Sequence, residues 1–285
     1  MRWHLLALIV ACIWGSTFVA SKVLLNAGLT PAEIMCMRFA IAWLLMIPWC
    51  HRQMLTSFHD ELLFVLLGLT GGSLYFLAEN TAVQISSATS TVALLVCTTP
   101  IVTALMNRCL HRDEHLSNRF LLGSMVALVG VALVVFNGVF ILDDDPLVIL
   151  LSLGASALWG VYSLVIRLLE KRYSSAVITR KVFFWGIVTM LPVCLLERNQ
   201  FSASLFSPTV IGTLLFLGLI ASFGCFLLWN VVLRRIGIIA AGNYLYFNPV
   251  TSLFVAWMVL DERITALAIL GCLLTIAGVY LCNRK

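Results

Sequence analysis

The chain has 285 residues, of which 61% are hydrophobic and 11% are charged, and its formal net charge is +5. Soluble domains carry about 25% charged residues, so this composition excludes a chain folded mainly in water. Lipid is therefore the expected solvent, and backbone groups in lipid have to be satisfied within helices or a closed barrel.

The apolar runs favour helices, because residues 5–19 and 120–136 lack the two-residue alternation of barrel strands. We expect an all-α integral membrane protein with ten transmembrane helices, each near the roughly 20 residues that a span requires. An N-terminal signal peptide is the alternative for the first run. The predicted helices cover residues 3–24, 31–50, 61–82, 86–107, 118–137, 147–169, 176–196, 209–232, 238–259 and 264–283.

Basic residues near helix ends predict the orientation, since Lys and Arg are enriched on the cytoplasmic side. With a cytoplasmic N-terminus, twelve of the 18 basic residues lie on the cytoplasmic side and three, Lys22, Arg198 and Arg263, lie on the other. The acidic run 143–145 then lies outside. The positive net charge is thus explained by topology and gives no indication of nucleic-acid binding.

The chain contains an internal duplication. "WGSTFVASK" begins at Trp14, and "WGVYSLVIR" begins at Trp159. A mid-chain copy argues against a signal peptide at the first one. Alignment of the two halves pairs residues of the same type, at nearly constant offsets, over the rest of each half. The pairs are Asn80 with Asn230, Pro100 with Pro249, Glu114 with Glu262, Gly123 with Gly271, and Gly130 with Gly278.

Five helices per copy is an odd number, so the second copy enters the membrane from the opposite side. This is the inverted-repeat plan of secondary transporters, which place the substrate site near the midplane between the repeats. We therefore predict two repeats that move against each other around a central cavity.

The duplicated motifs resemble the EamA domain of the drug/metabolite transporter superfamily, in tandem over nearly the whole chain. The resemblance implies repeats at 1–140 and 147–285, cytoplasmic termini, and export of small metabolites, amino acids or drugs across a bacterial-type inner membrane. The motifs are the two Trp-Gly pairs, Pro31-Ala32-Glu33 with Arg38, Pro100, Glu114, Gly123 and Gly130, and in the second copy Pro249, 261–263, Gly271 and Gly278.

Aromatic, amide and proline residues form the expected substrate path. Tyr, Trp and Asn combine apolar faces with hydrogen-bonding groups, as small-molecule pockets require. Prolines within spans free backbone carbonyls and bend helices. Packing alone remains the alternative for the Trp-Gly pairs. The path residues are Trp14, Tyr75, Asn80, Pro100, Trp159, Tyr162, Trp229, Asn230, Tyr244, Tyr246, Asn248 and Pro249.

Two charged residues, Arg38 and Glu79, fall inside predicted spans. Intramembrane charges are costly and usually pair inside the bundle. We expect an Arg38–Glu79 pair with a structural role, or alternatively a role as a gate or proton-linked carboxylate.

The sequence gives only weak indications of a catalytic, metal-binding or nucleotide-binding site. "HRDEH" at 111–115 matches the His-x-x-Glu-His pattern of zinc peptidases, but it lies at a polar junction and its counterpart "VLDER" has no His. Most of the nine cysteines lie in apolar runs without a CxxC motif, as expected for small buried side chains. No Walker A motif is present. We expect no catalytic residues, metal or cofactor.

The favoured function is a secondary transporter that exports small organic metabolites by alternating access. An uptake carrier of the same fold and a membrane-embedded enzyme are the alternatives. The expected partners are membrane lipid and a small-molecule substrate, with homodimerisation left open. The expected location is the inner or plasma membrane.

The orientation predicts how introduced cysteines react with a membrane-impermeant maleimide. Asp144→Cys should be labelled in intact cells, and Lys285→Cys only after the cells are opened, because the two positions lie on opposite sides. The unsubstituted chain controls for its native cysteines. Labelling of both positions from one side would contradict the inverted arrangement.

Overall fold

The computed structural model describes residues 2–48, 56–86, 89–110, 117–136, 145–197, 207–260 and 265–283. We group the helical elements of these residues into segments α1 to α10. They are α1 (Arg2–Asn26), α2 (Pro31–Met46), α3 (Phe58–Ile85), α4 (Thr89–Val96 and Thr99–Leu110), α5 (Asn118–Phe136), α6 (Pro146–Leu169), α7 (Ser175–Leu196), α8 (Pro208–Ile236), α9 (Ile238–Gly242, Asn243–Phe247 and Asn248–Leu260) and α10 (Ala266–Asn283).

Local capping residues set several of the helix starts. Thr30 accepts a hydrogen bond from the Glu33 amide while Glu33 accepts from the Thr30 amide, and Pro31 occupies the first turn of α2. Asp145 caps α6 ahead of Pro146 in a similar way. These signals explain why the predicted starts at 31 and 147 are close to those observed.

Seven segments are long and apolar enough to cross a membrane by length and composition: α1, α3, most of α4, α6, α7, α8 and α10. Large apolar side chains also point outward, including Leu150, Met125 and Leu273, each at least 60% exposed. So many exposed apolar groups fit a lipid environment. The described residues thus form helices without strands, in the manner of a multi-pass membrane protein, and the ten-span inverted architecture remains a proposal.

We call the end of the bundle that contains the first residues of α1 the N-terminal end. His4 hydrogen-bonds Tyr244 of α9 there at 2.9 Å, and the end of α8 adjoins it, where Arg235 lies over the Trp3 ring. Further contacts bring the starts of α3 and α5 and the ends of α4, α6 and α10 to the same end. They are Arg167 to Asn107, Tyr173 to Asp60, and Cys282 to the Phe120 carbonyl.

We call the opposite end of the bundle the far end. It contains the last residues of α1 and the first residues of α6. Lys22 donates a hydrogen bond of 2.9 Å to the Val83 carbonyl at the end of α3. Val148 packs in one apolar cluster with Val83 and Val92. Consequently α1 begins at one end of the bundle and α6 begins at the other.

Both prolines of the predicted path follow helix interruptions. The α4 helix breaks between Val96 and Thr99, directly before Pro100. The α9 helix passes through a 3₁₀ segment, Asn243–Phe247, directly before Pro249. Both interruptions thus lie in the two spans in which bends are expected, and the bends themselves stay predictions. In addition, π-helical segments interrupt α3 at Leu69–Ser73 and α8 at Phe216–Gly224.

Glycines allow α5 and α10 to pack backbone to backbone. A Cβ added at Gly130 would lie 2.6 Å from the Gly271 carbonyl oxygen, and one added at Gly278 would lie 2.6 Å from the Gly123 carbonyl oxygen. Such close helix approach requires small residues. The four glycines matched by the sequence alignment thus meet at one helix–helix interface.

This interface predicts a large effect of one added methyl group. Gly278→Ala places Cβ 2.4 Å from the Ala127 amide nitrogen. We expect destabilisation of about 1–3 kcal/mol, since overpacking against backbone is poorly relieved. The measurement is thermal unfolding in detergent. Gly154→Ala, on α6, is the matched control and should be neutral or stabilising, because no described residue beyond the local α6 backbone comes within 4 Å of the added Cβ. Equal unfolding temperatures for the two variants would refute this account of the interface.

Candidate functional site

A small internal cavity lies between residues from both halves of the chain. Its volume is about 30 Å³. A cavity of this size holds water but is far below the several hundred Å³ of a typical ligand pocket. Its lining residues are Trp14, Thr17, Phe18, Arg38, Tyr75, Phe76, Glu79, Val96, Thr99, Trp159, Phe226, Leu245 and Asn248.

Aromatic rings form the central part of this lining. The Trp14 and Trp159 rings meet edge to face with centroids 5.3 Å apart, and Tyr75 lies 5.1 Å from Trp159. Trp14 also donates its indole N–H to the Ala221 carbonyl at 2.9 Å. The two aligned tryptophans, one on α1 and one on α6, therefore contact each other through their rings.

The glycines of the Trp-Gly pairs have a packing role beside the cavity. A Cβ at Gly15 would lie 2.4 Å from the Asn248 carbonyl oxygen in α9. A Cβ at Gly160 would lie 2.9 Å from the Met106 sulfur in α4. Both interpretations of the motif thus apply, since the glycine brings two helices together and the tryptophan lines the cavity.

Arg38 is 1% exposed and lines the cavity from α2. The ion pairs of the described residues do not join Arg38 to Glu79, although the two charges interact electrostatically. Arg38 instead donates from Nε to the Ser222 hydroxyl at 2.8 Å, and its guanidinium lies 4.3 Å from the Phe76 ring centroid. Ser222 lies in the π-helical segment of α8, so Arg38 links the two halves.

Glu79 lines the same cavity from α3 and is 4% exposed. The Tyr75 hydroxyl, one turn earlier on α3, donates a hydrogen bond to its carboxylate. The cavity therefore contains one cationic and one acidic side chain, supplied by neighbouring helices and each bonded to a neutral hydroxyl.

Three cavity-lining residues have buried polar atoms that lack a hydrogen-bond partner among the described residues. These atoms are Arg38 Nη1, Trp159 Nε1 and Asn248 Oδ1. Buried polar groups are normally satisfied, and the exceptions call for a water or a ligand. The arrangement offers two donors and one acceptor to a small polar molecule.

A polar network lies deeper in the second half. Tyr162 donates to Asn230 Oδ1 at 2.8 Å, and Asn230 Nδ2 donates to Thr179 at 2.7 Å. This network connects α6, α8 and α7 without lining the cavity. Asn80, the aligned counterpart of Asn230, is fully buried, and neither of its side-chain polar atoms has a partner within the described ranges.

The remaining predicted path residues lie away from the cavity lining. Tyr244 is at the N-terminal end on His4, and Tyr246 is buried in a cluster with Cys97 and Ala127. Trp229 packs against Trp14, with the two ring centroids 5.0 Å apart. Pro100 and Pro249 adjoin two lining residues, Thr99 and Asn248.

Sequence reasoning missed several lining residues. Thr17 and Phe18 follow Trp14 by three and four positions, so helical periodicity indicates that they share its face. Phe76 is adjacent to Tyr75 in the sequence. The contribution of Ser222 has no comparable signal, because it lies 184 positions from Arg38.

A larger recess, here the vestibule, opens at the N-terminal end with a volume of about 750 Å³. Arg167, Arg234 and Arg235 give it a positive charge, opposed by Glu170. Burial raises the pKa of the Glu170 carboxyl, and the nearby Arg234 and Arg167 act against that rise. The "HRDEH" segment lies outside the described residues.

The contrast between the two aligned asparagines predicts opposite effects on stability. Asn230→Leu removes the acceptor of the buried Tyr162 hydroxyl and should cost about 1–3 kcal/mol. Thr179 keeps its bond to the Ser175 carbonyl. Asn80→Leu removes two unpartnered polar atoms and should be neutral or stabilising. Thermal unfolding in detergent measures both. A larger loss for Asn80→Leu than for Asn230→Leu would contradict the hydrogen bonding described here.

Comparisons with known proteins agree with this architecture. An uncharacterized transporter of Archaeoglobus fulgidus is 25% identical over 100% of this chain and 98% of the relative. A probable terminal-alkyne amino-acid exporter of Streptantibioticus cattleyicolor is 27% identical over 99% and 93% of the respective chains. A solved structure, titled only as the crystal structure of a protein, superposes with a TM-score of 0.77 over 99% of this chain and 98% of that chain, at 16% identity.

The assignment of the chain to a family does not depend on any single relative. The sequence profile of the EamA-like transporter family matches residues 1–136 and again residues 146–284. The two matches together cover nearly the whole chain, and both the family and the relatives above are described as transporters. The chain therefore belongs to the EamA-like transporter family.

Proposed function

We propose that this protein is a secondary transporter that exports small organic metabolites by alternating access. The observation that carries the proposal is the internal cavity, which both halves line and which holds a cation, an acid and unpartnered polar atoms in an aromatic surrounding. Polar groups of this kind are costly within a membrane and usually mark a substrate pathway.

Inverted halves, α1–α5 and α6–α10, are supported by the packing of the two glycine pairs. The alignment equates Gly123 with Gly271 and Gly130 with Gly278, whereas the contacts join Gly123 to Gly278 and Gly130 to Gly271. Exchanging the halves converts one contact into the other. This exchange is expected for two helices related by a twofold axis that runs between them.

A second exchanged contact supports the same relation. Gly68 of α3 packs against Trp185 of α7, and Gly218 of α8, at the same offset as the aligned asparagines, packs against Ile41 of α2. Each half therefore places one helix against the other half in an equivalent way. Such paired contacts allow the halves to move as two similar bodies.

The cavity volume supports alternating access. About 30 Å³ cannot hold a metabolite, so binding requires the two halves to separate around the cavity. The vestibule provides a wide opening at the N-terminal end of the bundle. We assign this narrow cavity to an arrangement between the two open states, from which the halves open toward each side in turn.

The cavity chemistry favours amino acids or related compounds as substrates. Arg38 can bind a carboxylate, Glu79 can bind an ammonium group, and the tryptophans can pack against a side chain. One relative is named a probable amino-acid exporter, in agreement with this assignment.

The charge distribution supports an inner or plasma membrane location with a cytoplasmic N-terminal end. The described basic residues Arg2, Arg108, Arg119, Arg167 and Arg234 are on that end, whereas Lys22 is on the far end. The vestibule then faces the cytoplasm, as export requires. Its arginines attract anionic groups toward the opening.

Counterflow in liposomes tests the proposal. The purified protein is reconstituted and assayed with a panel of labelled amino acids, with and without a pH gradient. We expect Trp159→Ala and Asn248→Ala to reduce the initial rate at least tenfold, which corresponds to about 1.4 kcal/mol of lost interaction. A membrane-impermeant inhibitor is then added to one side of vesicles that hold the protein in a single orientation, and its effect gives the direction of transport.

The matched control is Trp257→Ala, a tryptophan on α9 that is 49% exposed on the outside of the bundle. Its transport rate should equal that of the unsubstituted protein. Unchanged rates in the two cavity variants would exclude the cavity as the path. Net accumulation of substrate inside vesicles that have the same membrane orientation as the cell would replace the export assignment with uptake.

A further inference from the structure

Two cysteine side chains meet where α2 packs against α7. The Sγ atoms of Cys36 and Cys194 are 3.1 Å apart, and both residues are partly buried. Nothing in the proposed transport path uses them, because neither lines the cavity or the vestibule.

The pair joins the two halves of the protein. Cys36 is on α2 of the first half and Cys194 is on α7 of the second. The two helices run antiparallel, since Trp43 packs on Phe184 nearer their other ends. Met35 and Phe39 also contact Gly186, so the interface around the thiols is closely packed.

The geometry allows a covalent bond with little movement. A disulfide requires an S–S distance near 2.05 Å, so the two sulfurs have to approach by about 1 Å. Rotation of the two side chains supplies such a shift, because the packed backbone already holds both residues on facing surfaces. By contrast, Cys97 and Cys225 are almost fully buried in the bundle.

The pair lies toward the far end of the bundle. Cys36 is in the second turn of α2, five residues after its first residue Pro31, and Cys194 is two residues before the end of α7 at Leu196. In the proposed orientation this end faces the extracytoplasmic side, where disulfides form and persist. The inference rests on that orientation.

We infer that Cys36 and Cys194 form a reversible disulfide that fastens the two halves together at the far end and stops transport. The oxidant is an extracytoplasmic disulfide, either a small molecule or a thiol–disulfide oxidoreductase. One cysteine thiol gives up its proton, and its thiolate attacks that disulfide to form a mixed disulfide; the external S–S bond breaks, and the leaving sulfur takes up a proton to become a thiol. The second cysteine thiolate then attacks the mixed disulfide and releases the other thiol. Two protein thiols are oxidised, and one external disulfide is reduced to two thiols.

The functional consequence follows from the position of the bond. Opening the cavity toward the far end requires α2 and α7 to separate there, and a covalent link between them prevents this. The oxidised protein therefore remains closed at the far end, and reduction restores the full cycle.

Peptide mapping detects the bond without any transport assay. The full chain in detergent is treated with oxidised glutathione, blocked with iodoacetamide and digested with trypsin. Cleavage after Lys22, Arg38, Lys181 and Arg198 yields peptides 23–38 and 182–198, each with one of the two cysteines. We expect these peptides to appear linked by mass spectrometry and to separate after dithiothreitol. Absence of the linked peptide would overturn the inference.

Transport measurements test the consequence. Oxidised protein should lose at least tenfold in counterflow rate and recover with dithiothreitol. Cys36→Ser and Cys194→Ser should be insensitive to the oxidant, whereas the control Cys272→Ser, on α10, should remain sensitive. A linked peptide with unchanged transport would overturn the closing role. A linked peptide in a protein that transports no tested substrate would count against the proposed function and leave the disulfide established.

Discussion

Exclusion of water from the bilayer core determines most of this structure. Helices satisfy the backbone within each segment, so the remaining cost is that of polar side chains. The chain places these groups inside the bundle, where Arg38 reaches Ser222 and Tyr162 reaches Asn230. Apolar side chains such as Leu150 cover the outside. The buried polar groups are thus a main energetic cost of the fold, and the proposed function gives them the role of binding the substrate.

The sequence predicts the helices well, because ten apolar runs are separated by polar or proline-containing breaks. It also singles out Trp14 and Trp159, because the repeated Trp-Gly motif marks both residues, and both line the cavity. The cavity is only partly predictable. Contacts such as Arg38 with Ser222 depend on the angle at which distant helices cross, and that angle leaves no periodic pattern in the sequence.

The two halves are similar without being equivalent. Asn230 holds three helices of the second half together through Tyr162 and Thr179. Asn80 lacks such partners among the described residues. The charges of the cavity, Arg38 and Glu79, both come from the first half. Structural duplication therefore supplies the shape of the site, and later divergence of single residues supplies its chemistry.

The π-helical segments of α3 and α8 have a consequence for how the cavity is lined. A wider helical turn changes the angular position of every later residue, and one residue corresponds to about 100° around the axis. Tyr75 and Glu79 follow the segment Leu69–Ser73, and Phe226 follows Phe216–Gly224. Regular α-helix at these two points would turn all three side chains toward different neighbours. The angular shift that each π-helical segment introduces therefore determines which residues face inward, as much as residue type does.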